Sequence, residues 1–574
     1  MRGLHILLLI CLFSFYLPSH SLGTNETDMF ALLSFKSLIS NSPLGTLSSW
    51  NDSLHYCLWQ GVRCSNRHPN RVTALSLGSL SLSGHISPSL ANLTFLKSLN
   101  LSDNQLTGNI PAELGHLSRL QNLNLSENNL AGNIPSTLGQ IPHSIYNLSS
   151  MVSLSLSGNQ LDGNLPSKFC DAFQSLQNLI LYTNQLNGPI PISITNCSAM
   201  LQIDLSKNNF IGTIPDSIGT LRNLLMLGIF SNQIKAIGDD WKFFDSLINC
   251  TFLQLLDLGD NQLHGMLPRS IANLSTSLIY LGIYKSPISG NIPAEVGKLT
   301  NLATLQVYQT FIEGNIPEEI GNLWNLEGLG LDGNMLSGEI PSTLGNLSKL
   351  NFLHLDNNAF TGSIPEELSN MQLLNTLNLS HNKLIGLIPK NLFNLPSLSI
   401  SLDLSNNYLN GSVPPEIGQL KNVQKVYLSN NKLSGQIPST IDGCQLLQIL
   451  HLDGNQLNGS IPFSLSNMRG LQDLDISNNS LSGTIPEFVG QMKLQNLNIS
   501  FNNFKGELPK DGVFRNSSAV DTRGNSKLCG GVPEMHLPKC VLDKQKKKHN
   551  SKIVIVIICC IGGIICLCIE KGIT

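Results

Sequence analysis

Between Val72 and Phe514 the apolar positions recur with a fixed period. Leu96 to Pro111 reads LKSLNLSDNQLTGNIP, Leu350 to Pro365 reads LNFLHLDNNAFTGSIP, and Leu447 to Pro462 reads LQILHLDGNQLNGSIP. The shared template, LxxLxLxxNxLxGxIP, usually closes after 24 residues. Its anchor glycine runs from Gly84 to Gly506, with Ala236 once in the glycine slot, which makes eighteen units. The LxL segment alternates as a short strand, with both leucines inward and their neighbours outward. The asparagine side chain is expected to bond backbone groups inside the turn. Glycine suits a sharp turn, and proline ends ladder pairing on the far side.

One such unit cannot bury enough surface to stand alone, so stacking must share one core and one hydrogen-bond ladder. The predicted fold class is an α/β solenoid: a right-handed, curved leucine-rich-repeat superhelix with a parallel sheet on the concave face, residues 72–514. Two spacings break the rhythm. Gly132 to Gly163 is 31 residues and carries Ile-Pro pairs at Pro135 and Pro142, as if two repeats had fused with one strand lost. Ala236 to Gly265 is 29 residues and holds Asp239, Asp240, Trp241, Phe243 and Phe244, whose rings are expected to pack on the convex side.

The flanks differ from the repeats. Residues 1–23 read as a secretory signal: Arg2, an apolar run from Leu7 to Leu17, and small residues at Ser21 and Gly23. Residues 24–71 form an expected N-terminal cap, with a helix from Thr27 to Ile39, then Trp50 and the Cys57–Cys64 pair. Residues 515–543 form a C-terminal cap with Cys529 paired to Cys540. Cys170, Cys197, Cys250 and Cys444 fall singly in repeats and are expected to be small buried hydrophobes. A basic stretch, 544–552, precedes the uncharged 17-residue run Ile553 to Ile569, read as one C-terminal transmembrane helix, with a short tail at 570–574. The lysines lie on the side that opposes the positive-inside rule. A large translocated domain overrides loop charge, so the expectation is a single-pass type I plasma-membrane protein with its repeats outside. Cys559, Cys560, Cys566 and Cys568 lie in or beside that run, where acylation would be chemically accessible.

Charged residues are 13% of the chain, about half the usual share. The net charge of -3 supplies no basic field, so no nucleic-acid partner is expected. Hydrophobic residues at 41% exclude wholesale disorder. The chain has no HExxH, Walker-type loop, GxSxG or CxxC pair, and its histidines are scattered. The reading is therefore not an enzyme, with no cofactor and no metal. Acidic doublets such as Glu318-Glu319 read as repeat punctuation on the outer side.

A ligand surface shows in the outward residue six places before each anchor glycine. Serine is the default there, and the middle departs from it with Tyr182, Phe230, Gly259, Tyr284, Tyr308, Asp332 and Asp356. Two places earlier come Gly228, Gly282, Gly330 and His354, and Tyr280 and Phe352 add outward rings. Glycine in a strand often marks close approach by another molecule. The candidate ligand-binding set is thus Tyr182, Phe230, Tyr280, Tyr284, Tyr308, Asp332, Phe352, His354 and Asp356. Asp332 and Asp356 should be neighbours whose repulsion a partner cation would relieve. The competing reading is that the rings stack on one another and the aspartates are solvated. Sixteen N-x-S/T sequons mark a glycan-accessible surface. Candidate acceptors are Asn25, Asn51, Asn92, Asn147, Asn196, Asn249, Asn273, Asn346, Asn410, Asn458 and Asn516. Asn100 and Asn378 lie on the strand face, where a glycan would block ligand.

The NxLxGxIP repeats, the Cys57-LWQGVR-Cys64 cap and Gly524-Asn-Ser-Lys-Leu-Cys529-Gly-Gly resemble plant leucine-rich-repeat receptor kinases. The 29-residue variant with Asp240-Trp241 and Asn249-Cys250 resembles the subgroup of microbial-pattern receptors. That resemblance implies an extracellular peptide or microbial ligand and a shorter co-receptor kinase as partners, in defence or development. The kinase motifs of the family do not occur in this sequence, so its kinase activity does not carry over. Three readings stay open: a membrane-anchored receptor-like protein signalling through a co-receptor, a truncated or decoy product, and a secreted inhibitor of microbial wall-degrading enzymes.

Overall fold

The structure is a computed structural model describing residues 24–134, 150–236 and 238–540. The expected signal, basic, membrane and tail segments, Pro135, Pro142 and Asn147 lie outside the described residues. Among the described residues no helix is long and apolar enough to cross a membrane.

Each repeat contributes one three-residue strand to a single long sheet, which holds twenty strands among the described residues. Val62–Cys64 forms one edge and pairs antiparallel with Val72–Ser76. From there every pairing is parallel, out to Asn496–Asn498 against Val520–Asp521. The register is strict: Leu305 pairs with Leu329, and Leu329 with Leu353. These leucines are fully buried, as are their counterparts along the chain, in one continuous core. Opposite the sheet, most repeats carry a short 3-10 turn such as Glu318–Asn322 or Ser342–Asn346. Strands pack about 4.8 Å apart, closer than helical turns can, so the stack curves with the sheet inside.

Two features of the template explain the local folding. Every anchor glycine from Gly84 to Gly506 has positive φ, while Ala236, in the same slot, is not among the positive-φ residues. At Gly338, with φ of 74°, a β-carbon would also fall 2.4 Å from Asn315 Oδ1, so the slot demands glycine twice over. The asparagine does more than close its own turn. Asn382 Nδ2 donates to Leu379 O and Ser380 O in its own repeat and to Leu355 O in the preceding one. Its Oδ1 accepts from Phe360 N, also in the preceding repeat. The residue before it, His381, takes a left-handed conformation to aim it inward.

The irregular spacings are accommodated differently. Asn122–Asn124 pairs directly with Ser153–Ser155, so the 31-residue spacing adds no strand between them in this sheet. In the 29-residue repeat, Lys242–Ser246 forms a short helix against the turn Asp216–Thr220. Phe243 and Phe244 are fully buried there, and Trp241 Nε1 donates to His264 O at 2.8 Å.

The N-terminal helix spans Thr24–Ser37 and stops short of Ile39. β-Branched Ile39 instead begins the strand Ile39–Asn41, antiparallel to Ser83–His85, and Pro43 opens a separate 3-10 turn, Pro43–Gly45. Ala31, Leu32 and Phe35 of the helix are buried, and Trp50 stacks on Trp59 at 5.3 Å. Asp28 is fully buried, pairs with Arg71 at 3.1 Å and accepts from Val72 N. The disulfides Cys57–Cys64 and Cys529–Cys540 are present. One expectation is corrected: Cys170 and Cys197 are not separate buried hydrophobes but a third disulfide. They sit in successive repeats at nearly equivalent positions, where stacking brings the Cα atoms to 5.3 Å, within bonding reach. Cys250 and Cys444 are free and buried.

Two measurements check this account. Peptide mapping under non-reducing conditions should recover Cys170 linked to Cys197, with Cys250 and Cys444 alkylated only after unfolding. Asn382→Ala strands Leu355 O and Phe360 N, and should cost about 3 kcal/mol in urea unfolding, with faster amide exchange at Phe360.

Candidate ligand-binding face

The outward residues of the sheet form three columns. In the column two places before the default serine, the central register runs Asp204, Gly228, Asp257, Gly282, Gln306, Gly330, His354. Glycine alternates with a polar side chain, so every second strand opens a gap. Much of that room is taken by the chain's own groups. The Tyr284 ring lies over Gly259, where a β-carbon would fall 2.3 Å from its Cζ. Phe352 lies over Gly328, and Tyr280 leans across Gly282.

Three of the sequence-derived residues converge. Tyr284 and Tyr308 stack face to face, with centroids 4.6 Å apart and planes 4° from parallel. Tyr280 stands half-buried beside Gly282, and Tyr284 donates from its hydroxyl to Asp257 Oδ2 at 3.3 Å. Phe352 and His354 form a second group, with centroids 5.4 Å apart. Asp332 and Asp356 follow the adjacent strands Gly328–Gly330 and Phe352–His354, near His354. Burial pushes both carboxyls up, and for Asp332 repulsion from Asp356 adds to it. Phe230 lies outside these groups beneath Lys207, whose Nζ is 5.6 Å from its centroid. Tyr182 stands apart, 36% exposed, with its hydroxyl 3.4 Å from Glu127 Oε1.

Asp257 is the member the sequence reading missed. It is only 8% exposed. Burial pushes its carboxyl up to about 6, against smaller opposing effects from Gly259 N–H and the Tyr284 hydroxyl. The alternation of Gly228 and Gly282 around it was the available signal. A second signal was the ladder asparagine itself, which Ser286 and Thr310 replace in the repeats of Tyr284 and Tyr308. Ser286 Oγ accepts from Asn261 N, and Thr310 donates to Asn334 Oδ1, so the replacements keep only part of the asparagine's bonding.

The sequons frame this region. Asn100 and Asn124 lie on the strand face at one end, and Asn378 and Asn498 at the other. No outward strand position from Ser153 to His354 is a sequon asparagine. Asn51, Asn92, Asn196, Asn249, Asn273, Asn346, Asn410, Asn458 and Asn516 are exposed. A polar cleft of about 650 Å³ lies at the C-terminal end, but its three aspartates are already engaged. Asp473 meets His451 and Asn496, Asp475 meets Asn498, and Asp521 meets Arg523. In the central window, by contrast, Asp257, Asp332 and Asp356 have no ion pair among the described residues.

Comparison with known proteins places this geometry. Residues 25–65 match the leucine rich repeat N-terminal domain, and 400–457 together with ten further segments between 95 and 512 match leucine rich repeats. The LRR receptor-like serine/threonine-protein kinase EFR of Arabidopsis thaliana is 46% identical over 100 residues, covering 17% of this chain and 9% of that protein. Such stretches thus span under a tenth of the length of the curated relatives first matched. Solved structures align over far more. A plant peptide hormone receptor, RGFR1 in complex with RGF2, has a TM-score of 0.66 and 32% identity over 82% of this chain and 83% of that one. The Arabidopsis receptor kinase HAESA, solved with the peptide hormone IDA and the co-receptor SERK1, has a TM-score of 0.65 and 27% identity over 88% and 98%.

The Asp257 environment makes a pH prediction. Its folded carboxyl titrates above an unfolded aspartate, so its contribution is full below about pH 4 and is lost as pH rises through about 6. Asp257→Asn abolishes that loss. Relative to wild type it should gain up to about 3 kcal/mol on going from about pH 4 to about pH 7. Parallel urea titrations of the two proteins at both pH values test this, and an unchanged difference would contradict it.

Proposed function

Because the chain belongs to the family of plant leucine-rich-repeat receptor-kinase ectodomains, we propose that it is a cell-surface receptor-like protein that binds an extended, cationic peptide on the strand face between Tyr182 and Asp356. The observation that carries the reading is the central window. Stacked rings and unpaired, half-buried carboxylates sit side by side on strands that carry no sequon. A half-buried tyrosine pair offers apolar area at low entropic cost, as binding hot spots do. The charge selects the ligand's sign. Asp204, Asp257 and Asp403 lie on strands along the middle of the sheet and Asp332 and Asp356 just beyond two more, while Lys425 is the one lysine on a strand of this sheet among the described residues and Lys207 lies over Phe230. Such a face speeds encounter with cations and does so less at high salt.

The length of the window sets the ligand's size. Seven strand-to-strand steps at about 4.8 Å give roughly 34 Å, which about ten extended residues cover. Signalling would then pass to a co-receptor kinase at the plasma membrane, as the complex of HAESA with SERK1 suggests by analogy.

Binding of a basic decapeptide library to the secreted protein tests the assignment. Tyr284→Ala or Tyr308→Ala should each weaken retained peptides by roughly 2 kcal/mol without lowering secretion. Asp332→Asn should weaken cationic peptides and slightly raise stability. Ser405→Ala and Ser429→Ala, in the same column beyond the window, should leave binding unchanged. If they cost as much as the tyrosines, the window is not the site.

A further inference from the structure

We propose that the strand face carries a dedicated pocket for one basic side chain, an alkylammonium or guanidinium, seated over Gly228 between Asp204 and Asp257. This deepens the reading of a cationic extended ligand and rests on it for its biological role. Asp204, Gly228 and Asp257 pair directly in register on three successive strands. The two aspartates therefore rise from backbones about 10 Å apart with only the glycine between them. Asp257 accepts from Gly259 N and the Tyr284 hydroxyl with Oδ1 over Gly282, and turns back toward Gly228 to meet a cation there. One cationic group with a charge-assisted hydrogen bond of about 2.8 Å to each side spans such a gap.

The slot is built on more than acidic charge. A β-carbon at position 228 would lie 3.1 Å from Asp204 Oδ1 and 3.1 Å from Ser206 Oγ, so both atoms aim into the space over the glycine. Ser206 is fully buried, and its hydroxyl has no hydrogen-bond partner. In other repeats the equivalent serine spends its hydroxyl on the asparagine or aspartate two places back, as Ser126, Ser380 and Ser405 do. Ser206 gives Asp204 only its backbone N–H and leaves the hydroxyl oriented toward the slot. A buried hydroxyl without a partner is costly, and a donor placed over Gly228 would satisfy it.

The walls suit the stem of a basic residue. Met226 and Phe230 share the strand of Gly228 and its following turn, while Tyr280 and Tyr284 close the Asp257 side. No lysine or arginine among the described residues forms an ion pair with Asp204 or Asp257. Lys207, the next residue along, lies over the Phe230 ring instead. The raised carboxyl of Asp257, with burial as its main cause and Asp204 adding to it, is what a carboxylate lacking its counter-cation should show. Two carboxylates and one hydroxyl are too few oxygens for calcium, which takes about 6–8, so an organic cation is the better fit.

Calorimetry of the full chain with benzylguanidinium, and with benzylurea as its neutral isostere, tests the pocket. Benzylguanidinium should bind one-to-one and benzylurea should not. Asp204→Asn and Asp257→Asn should each weaken it about tenfold, and Ser206→Ala about threefold, with melting curves confirming that each variant is folded. Ser405→Ala, outside both the slot and the window, should change nothing. Equal binding of the two probes, or wild-type binding by Asp257→Asn, would overturn the pocket. A basic decapeptide library separates this from the broader reading. Benzylguanidinium binding without any peptide retention would leave the pocket standing and remove the extended ligand. Retained peptides whose Lys or Arg preference survives the double change at Asp204 and Asp257 would do the reverse.

Discussion

Each repeat is tied to the one before it by a buried asparagine amide, and the rest of the molecule depends on that tie. Asn208, Asn382 and Asn431 each bridge two repeats through both ends of the amide, satisfying carbonyls that would otherwise be stranded beside the leucine core. A buried polar group left unpaired costs more than a made bond returns, so the ladder fixes register as firmly as the leucines fix burial. The positive-φ residue before it and the anchor glycine after it are consequences: the backbone must turn sharply to deliver the amide inward. With the interior settled in this way, the outward strand positions are free to vary without cost to the fold.

Apart from Leu80 in the first repeat, the ladder among the described residues gives way at two successive repeats, and they lie in the candidate site. Ser286 and Thr310 stand where asparagine is otherwise the rule, in the two repeats whose tyrosines stack over the strand face. Shorter side chains bond less there, and the stacked rings and the contact of Tyr284 with Asp257 supply part of the lost rigidity. Local rules tend to be broken where function requires it. Carboxylates without an ion pair in the same window, among the described residues, are a similar departure, since burial without a counter-charge weakens the isolated chain.

The fold was legible because its signal is repeated. Strand positions, inward leucines and turn glycines follow from period and alternation, and the cap disulfides from the cysteine pairs that flank the repeats. The Cys170–Cys197 bond was not, because it depends on how two repeats of unequal length come into phase, which places residues 27 apart side by side. The candidate site was half legible. A column of outward residues picked out the tyrosines and Asp332, since each departs from serine. It could not show that Tyr284 and Phe352 fold down over Gly259 and Gly328, because those directions depend on neighbouring strands. Nor did it find Asp257 or Ser206, whose roles arise from burial and from the absence of a partner.

The central claim is that ligand binds the strand face in its sequon-free middle. A glycan wedge tests it most directly. Thr304→Asn with Gln306→Ser creates an acceptor on the outward side of the strand Thr304–Gln306, and Trp324→Thr converts exposed Asn322 into one on the opposite side of the solenoid. With occupancy of each new site verified by mass spectrometry, capture of basic decapeptides should be abolished by the first glycan and unaffected by the second. Full capture with the strand-face glycan in place would contradict the account.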